Sequence, residues 1–224
     1  MPTYARKYQA TSLVYHIYNR SNSRVPIFKQ EQDFRYFIGL ISGHSNEFKV
    51  YHWVIMSNHY HLAVEFAIPE MMSRIMSSIQ RAYTHYHHVT YRKNGYLWQG
   101  RFKSQPIQKE IHLITCGRYI ERNPVKAGII VAADEYAYSS AACYCRGVID
   151  AITQQDPYYI DFGLNDEQRR GKYREFLRSF REEEEASYDL MEHPQGNKEF
   201  TRCLRMLNGR LAPWRRGRRP IIVS

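Results

Sequence analysis

Two strand-like segments joined by almost no loop constrain the fold of this chain more than any other feature. Residues 49–56 and 58–66 are both rich in β-branched and aromatic side chains. Little more than Ser57 and Asn58 is left to form the turn between them. A connection this short predicts a tight antiparallel pair of strands.

The second strand of the pair carries two histidines that point the same way. Residues two apart in a strand share a face, so His59 and His61 project side by side while Tyr60 points into the layer behind. Neutral imidazoles bind divalent ions well, but two ligands rarely hold a catalytic metal alone. The histidine pair is therefore half of a metal site, and histidines at this spacing also occur in strands for packing reasons.

Hydrophobic periodicity on either side of the pair predicts the order of the remaining elements. A strand-like run at 13–19 precedes a helical pattern over about 30–41. Helical spacing returns over 69–86, a short strand ends near residue 108, and a further helix covers 110–123. The order β-α-β-β-α-β, with one more helix, is that of ferredoxin-like folds. We predict an α+β protein with a split β-α-β arrangement, in which helices pack on one face of an antiparallel sheet.

The chain changes character after this core. Residues 132–144 are rich in alanine and tyrosine, and helix-compatible segments follow at 166–187 and 198–207. We therefore predict a main domain over residues 1–147 and a helical, arginine-rich C-terminal extension over residues 148–224. Such a basic tail is typical of a segment that binds phosphate without sequence preference.

The composition favours an anionic partner. The chain has 32 Lys+Arg against 22 Asp+Glu, a net charge of +10, and 19 tyrosines whose rings are suited to stacking on unpaired bases. The tyrosines are equally suited to half-buried sheet positions. The four cysteines form no CxxC pattern, and no apolar run approaches the about 20 residues of a membrane span, so we expect a cytoplasmic protein. Binding to a membrane surface rests on charge alone and is the weaker alternative.

A tyrosine and an asparagine on the last core helix could complete the site. Tyr119 and Asn123 are four residues apart and share one helical face. If this helix packs near His59 and His61, Asn123 could offer its carbonyl oxygen to the ion and Tyr119 could attack a phosphodiester. A tyrosine suits cutting and rejoining, since its phosphate ester can be attacked later by a 3′-hydroxyl. Spacing alone leaves open the simpler interpretation that Tyr119 is a core residue.

Three motifs in this order resemble the single-tyrosine HUH transposases, and in particular the branch of REP-associated tyrosine transposases. The motifs are Met-Ser-Asn-His-Tyr-His-Leu at 56–62, Gln-Gly-Arg-Phe-Lys at 99–103, and Arg-Tyr-Ile-Glu-Arg-Asn-Pro-Val-Lys-Ala-Gly at 118–128. The resemblance makes residues 1–147 a catalytic domain of the HUH type.

The resemblance implies a mechanism and a substrate. His59 and His61 would bind Mg²⁺ or Mn²⁺ with Asn123 as third ligand, and Tyr119 would form a 5′-phosphotyrosine link to single-stranded DNA. The recognised feature would be a palindromic hairpin from repetitive extragenic palindromes, which places the protein in the bacterial cytoplasm with the nucleoid. Glutamine is the helix ligand in some relatives, and asparagine is one methylene shorter, so Asn123 demands a closer helix.

Basic residues near the site and in the tail are the predicted DNA contacts. They are Arg20, Arg24, Arg101, Lys103, Arg122, Arg215, Arg216, Arg218 and Arg219. Two other functions remain as alternatives: a hairpin-binding protein on the same fold without catalysis, and a metallohydrolase. Both a monomer and a homodimer that exchanges the tyrosine helix are compatible with the sequence.

Overall fold

The structure is a computed structural model that describes residues 14–180, 183, 186, 188–189 and 194–208. Within these ranges, the side chains of Ile111 and of residues 205–208 are not among those described. The strands are β1 (Val14–Arg20), β2 (Phe48–Ile55), β3 (His59–Phe66) and β4 (Lys103–Ile107). The helices are α1 (Glu31–Ser42), α2 (Met72–Tyr91), α3 (Lys109–Glu121), α4 (Asn123–Lys126), α5 (Ala141–Arg146), α6 (Asp166–Arg178) and α7 (Lys198–Asn208).

The four strands form one antiparallel sheet in the order β2-β3-β1-β4. This is the strand order of a split β-α-β unit, in which β3 lies between the two strands that α1 connects. The predicted ferredoxin-like fold is confirmed. The two central strands, β1 and β3, run side by side with Arg20 opposite His59 and Tyr18 opposite His61.

Helices cover both faces of the sheet. α1 and α2 pack on one face, where Phe37 and Ile79 join Tyr15 and Leu62 in the larger core cluster. The prediction of helices on one face holds for these two helices. α3 lies on the opposite face, because its apolar residues pack with Val54 and Ala63 in a second cluster. The sheet is thus the central layer of a three-layer structure, and the predicted Tyr119 helix belongs to the second face.

A β-bulge decides which residues of β2 face α3. The pairing of β2 with β3 shifts between Val50 and His52, so Tyr51 is an extra residue on its strand. Val50 lies before the bulge and faces the α1/α2 side, and Trp53 lies after the bulge and faces the same side. His52 is thereby turned toward α3, although simple alternation from Val50 would place it on the other side.

A fully buried polar network attaches α3 to the sheet. His52 Nδ1 lies 2.9 Å from Glu121 Oε1, and its Nε2 lies 2.8 Å from Asp156 Oδ2. Glu121 also accepts hydrogen bonds from Ser140 Oγ at 2.6 Å and from Tyr173 OH at 2.9 Å. All five side chains are inaccessible to solvent. The network therefore joins β2, α3 and the segment 140–173 through satisfied hydrogen bonds.

The network needs close contact between α3 and β2. A Cβ atom at Gly117, one turn before Glu121, would lie 2.6 Å from ring atoms of His52. Glycine at this position lets the helix backbone rest directly on the imidazole.

In the described residues, the first part of the C-terminal extension packs against the segment that precedes residue 148. Tyr144 and Cys145 share a buried cluster with Tyr159, Tyr173 and Leu177. Residues on both sides of the predicted 147/148 division thus lie in one hydrophobic cluster. Among the described residues, no helix has the length and apolar character needed to span a bilayer.

Gly117→Ala should destabilise the protein even though alanine is the better helix former. The added methyl group meets an imidazole that is held on both ring nitrogens, and overpacking of this kind costs about 1–3 kcal/mol. The matched control is Gly39→Ala in α1, where nothing lies within 4 Å of the new Cβ, and a gain of up to about 1 kcal/mol is expected. Urea unfolding measures both, and effects of the same sign would contradict the packing argument.

The free energy of unfolding should fall as the pH rises through the range in which His52 loses its proton. Burial opposes the charged imidazole, but the carboxylates of Glu121 and Asp156 outweigh burial and raise the pKa of His52 to about 9. An unfolded histidine titrates near 6.5, so this contribution is complete below about pH 6.5 and is lost as the pH rises through about 9. Urea midpoints of wild type and His52→Gln between pH 6 and 10 test this expectation. Parallel curves for the two proteins would show that His52 carries no charge.

Candidate active site

The two predicted metal ligands lie on the α3 side of the sheet, and each is held through its Nδ1 atom. His61 Nδ1 is 2.8 Å from His16 Nε2 on the neighbouring strand, and His16 Nδ1 lies 3.4 Å from Gln105 Oε1 on β4. The arrangement fits a His61 that donates to His16 while His16 donates to Gln105. The Nε2 atom of His61 then carries a lone pair that remains for another ligand.

His59 is oriented in the same manner by its neighbour in sequence. His59 Nδ1 lies 2.6 Å from Asn58 Oδ1, which again leaves Nε2 for another ligand. The two rings of His59 and His61 stand nearly perpendicular, with centroids 5.3 Å apart. Tyr18 packs against both rings from β1, with its centroid 4.6 Å from that of His61.

All three site histidines are neutral at neutral pH. Burial lowers the pKa of His16 to about 4, and it lowers the pKa of His59 to about 4 although a hydrogen bond with Asn123 opposes the shift. The pKa of His61 is also far below its usual value, because the ring is buried and lies beside His16 and His59. Metal binding requires neutral imidazole, so no proton has to be removed first.

Asn123 reaches His59 because the helix is interrupted beside it. Pro124 has no N–H to donate to Ile120, and the Asn123 amide donates instead to Ile120 O at 3.1 Å and to Tyr119 O at 2.9 Å. Both contacts use Nδ2, so the amide oxygen is the atom left for other partners. The Asn123 side chain lies close enough to the His59 ring to accept a hydrogen bond from its protonated form, so the structure brings the amide to the histidine pair.

These side chains fit a divalent ion through a mixed set of nitrogen and oxygen donors. In the part of the chain that the structure describes, no group of three or more His, Cys, Asp or Glu side chains is arranged to hold a metal. A site at His59 and His61 therefore needs a third ligand of another type. The amide oxygen of Asn123 could serve as this ligand, and oxygen donors are those that Mg²⁺ and Mn²⁺ prefer.

Tyr119 lies beside the histidines and is covered by the chain itself. Its ring is perpendicular to that of His61, with centroids 5.6 Å apart, and Tyr188 stacks on its other side at 5.3 Å. The hydroxyl donates to Asp189 Oδ1 at 2.8 Å, while Lys126 Nζ donates to Asp189 Oδ2 at 2.8 Å. Only 4% of Tyr119 is exposed. Burial and the nearby Asp189 carboxylate raise the pKa of the phenol, which keeps it protonated.

Four of the predicted DNA contacts lie in segments next to the histidine pair. Arg20 ends β1 opposite His59, and Arg24 is exposed in the turn that follows. Arg101 and Lys103 are also exposed, and Lys103 is paired with Tyr18 across β1 and β4. The structure thus assembles a basic rim on the β1/β4 side of the site.

Arg122 requires a correction. Its guanidinium is buried, donates to Leu177 O at 2.7 Å and stacks on the Phe180 ring at 3.7 Å. These contacts attach α6 to the end of α3, so Arg122 has a structural position and is not part of the DNA surface. The predicted tail contacts, Arg215, Arg216, Arg218 and Arg219, lie outside the described residues.

Sequence reasoning missed His16, Tyr18, Gln105, Lys126 and Asp189. His16 and Tyr18 alternate in a strand-like run, which was a usable signal that they share a face. The pairing of His16 with His61 depends on the register between β1 and β3, which no local pattern specifies. Nothing in the sequence around Asp189 indicates that it reaches Tyr119.

Known proteins share the family and the fold of this chain. The family model described as "Transposase IS200 like" matches residues 9–123, about half of the chain. The chain belongs to this family. The solved structure described as "Structure of the REP associates tyrosine transposase bound to a REP hairpin" is similar to this transposase with a TM-score of 0.54 and 22% identity, over 70% of this chain and 93% of that one. No curated protein matches the chain.

The transposase family that the motifs indicated is therefore confirmed, and the solved structure of a REP-associated tyrosine transposase has the same fold as this chain. Membership in a transposase family identifies the protein as an enzyme in general terms.

Removing the Asp189 carboxylate should make the transposase react faster with DNA. Asp189 holds the Tyr119 hydroxyl and, if Tyr119 attacks a phosphodiester as the motifs predict, places a negative charge where the phosphate would approach. We expect Asp189→Ala to form a covalent protein–DNA adduct several-fold faster than wild type, measured on denaturing gels with single-stranded hairpin DNA and Mn²⁺. Asp161→Ala is the control, since it removes an exposed carboxylate elsewhere. An unchanged or slower rate for Asp189→Ala would contradict the view that this segment shields Tyr119.

Proposed function

We propose that the protein is a metal-dependent single-stranded DNA endonuclease and strand transferase that acts at DNA hairpins through Tyr119. The observation that carries the proposal is the convergence of His59, His61, Asn123 and Tyr119 on one face of the sheet. His59 and His61 come from a central strand. Tyr119 and Asn123 come from the helical segment 109–126, which lies much later in the chain. Packing of the hydrophobic core does not by itself require two neutral imidazoles, an amide oxygen and a phenol at one place.

His59, His61 and Asn123 would hold Mg²⁺ or Mn²⁺. When bound, such an ion polarises a non-bridging oxygen of the scissile phosphate. The protein keeps both imidazoles neutral and fixes their direction through Asn58 and through His16. Pre-orientation of this kind lowers the cost of assembling the site around the ion.

Tyr119 would be the nucleophile. The phenol oxygen forms a bond to phosphorus as the bond from phosphorus to the 3′-oxygen breaks; the phenol proton passes to water, and the leaving 3′-oxygen takes a proton from water and becomes a hydroxyl. The product is a 5′-phosphotyrosine link. Attack by another 3′-hydroxyl then releases Tyr119 and joins the strands, so the energy of the broken bond is retained.

The raised pKa of Tyr119 belongs to the covered form of the site. The hydroxyl is bound to Asp189 and the ring is stacked on Tyr188, so a phosphate has to replace Asp189 before attack. Once Asp189 leaves, the phenol loses a negative neighbour, and Lys126 loses its ion-pair partner. The freed Lys126 ammonium and a bound cation would both favour the phenolate, because opposite charges nearby stabilise an ionised group, whereas the phosphate itself opposes it.

The substrate would be single-stranded DNA with a palindromic hairpin. A net charge of +10 and the basic rim formed by Arg20, Arg24, Arg101 and Lys103 support a polyanionic strand that leads to the histidines. The related structure described as bound to a REP hairpin suggests hairpin recognition. Such a substrate places the protein in the bacterial cytoplasm.

One chain is sufficient to form the proposed site. α3 is attached to its own sheet by the buried His52–Glu121–Asp156 network, so Tyr119 and the histidines meet within one molecule. This arrangement supports a monomer rather than a dimer that exchanges helices.

The test is the formation of a covalent adduct. Wild type, Tyr119→Phe and His59→Ala are incubated with labelled single-stranded hairpin DNA and Mn²⁺ or Mg²⁺ and separated under denaturing conditions. We expect an adduct with wild type, none with Tyr119→Phe, and a loss of at least about 100-fold with His59→Ala, while both variants still bind the hairpin.

Two outcomes would contradict the proposal in different ways. Cleavage by Tyr119→Phe without an adduct indicates a hydrolase that activates water. Hairpin binding by wild type with neither cleavage nor adduct under any divalent ion indicates a binding protein on this fold. The second outcome is the alternative function that the sequence left open.

A further inference from the structure

One aromatic side chain near the site is fully presented to solvent. Tyr96, in the loop between α2 and β4, is 90% exposed, whereas nearly all other large aromatic residues of the described chain are buried or half-buried. The loop begins with Arg92 and Gly95 at positive φ, which change the direction of the chain after the end of α2. Tyr96 is thus held on a protruding turn that gives its ring no packing partner in the hydrophobic clusters.

The loop that carries Tyr96 is firmly anchored directly behind it. Leu97 and Trp98 are buried, and Trp98 Nε1 donates to Thr84 Oγ1 at 3.1 Å. Leu97 O accepts from Asn22 N at 2.8 Å, and Gln99 N donates to Arg20 O at 3.0 Å. Because both following residues are fixed, the exposed ring is presented in a defined place, which lowers the entropy lost when a ligand binds it.

The same contacts connect Tyr96 to the candidate active site. The turn that bonds to Leu97 starts at Arg20, which lies opposite His59 in the sheet. Its other end is held by Asn58, whose Nδ2 donates to Arg24 O at 2.8 Å while its Oδ1 contacts His59. A continuous hydrogen-bonded surface therefore leads from the metal ligands to the Tyr96 loop.

This surface carries positive charge and lacks carboxylates in its own segments. No aspartate or glutamate precedes Glu31, and none lies between Glu70 and Glu110. The basic residues of these segments that flank the loop are exposed; they are Arg24, Arg92, Lys93, Arg101 and Lys103. Cations that hold phosphates around a protruding aromatic ring are the combination found in proteins that bind single-stranded nucleic acid.

We propose that Tyr96 stacks on an unpaired base of the single strand that joins the hairpin to the cleavage site. The inference rests on the proposed action on single-stranded DNA and adds a contact outside the metal and tyrosine centre. Stacking on one base gives affinity for unpaired DNA with little sequence preference, since every base has an aromatic face. A duplex stem, whose bases are stacked on each other, would gain nothing from Tyr96.

Binding measurements that exclude chemistry test the proposal. All proteins carry Tyr119→Phe, divalent ions are chelated, and fluorescence anisotropy is recorded with a blunt GC-rich hairpin and with the same hairpin bearing an unpaired 5′ or 3′ tail. We expect Tyr96→Ala to weaken binding of one tailed hairpin roughly 5- to 100-fold and to leave binding of the blunt hairpin unchanged. Tyr96→Phe should bind all three probes within about 2-fold of the parent, because the ring is retained.

A matched control and a second measurement locate the contact. Leu164→Ala removes a side chain that is 91% exposed in the C-terminal extension, and it should change no affinity. When abasic positions are placed one by one along the tail, one of them should weaken DNA binding by the parent protein. The same abasic position should not change DNA binding by Tyr96→Ala. Coupling of this kind identifies the base that stacks on the ring.

Three results would overturn the proposal. They are equal binding of the tailed hairpin by Tyr96→Ala and its parent, an equal loss on tailed and blunt hairpins, or a loss in Tyr96→Phe as large as in Tyr96→Ala. Each can occur while wild type still forms the Tyr119 adduct, so the failure of this inference is distinguishable from failure of the proposed function.

Discussion

The structure depends on the buried contact of His52 with Glu121 and Asp156. Three ionisable groups without access to water are tolerated only because each is paired and hydrogen-bonded, and removal of one partner from such a group costs about 3–5 kcal/mol. The contact fixes the end of α3 on β2 and attaches the segment around Asp156 to the same point. Since Glu121 follows Tyr119 by two residues, the geometry of the proposed nucleophile is determined by this network.

The two ends of the site differ in how firmly they are held. The histidines are oriented by hydrogen bonds within the sheet, and Asn123 by the interruption of the helix at Pro124. Tyr119 is instead covered by two residues of the C-terminal segment. One of them, Asp189, also forms an ion pair with Lys126 at the surface. Surface ion pairs contribute about 1 kcal/mol or less, so the cover is more easily removed than the support beneath it.

Much of the fold could be predicted from periodicity because the elements are long and well patterned. The predicted helix over about 30–41 is Glu31–Ser42 in the structure, and the predicted strand over 58–66 is His59–Phe66. The side of the sheet on which α3 packs could not be predicted in this way. The bulge at Tyr51 changes the faces of all later residues of β2, and a bulge leaves no reliable mark in a short apolar run.

For the site, the residue types and their spacings can be read from the chain alone: an imidazole pair two apart, and a phenol and an amide four apart on a helix. Spacing within one element fixes which side chains share a face, and so these pairs could be found without coordinates. Folding alone brings the two pairs together, sets His16 against His61, buries Arg122 and places Asp189 on Tyr119. Those contacts join residues from different elements, and their distances depend on strand register and helix packing, which local sequence does not encode.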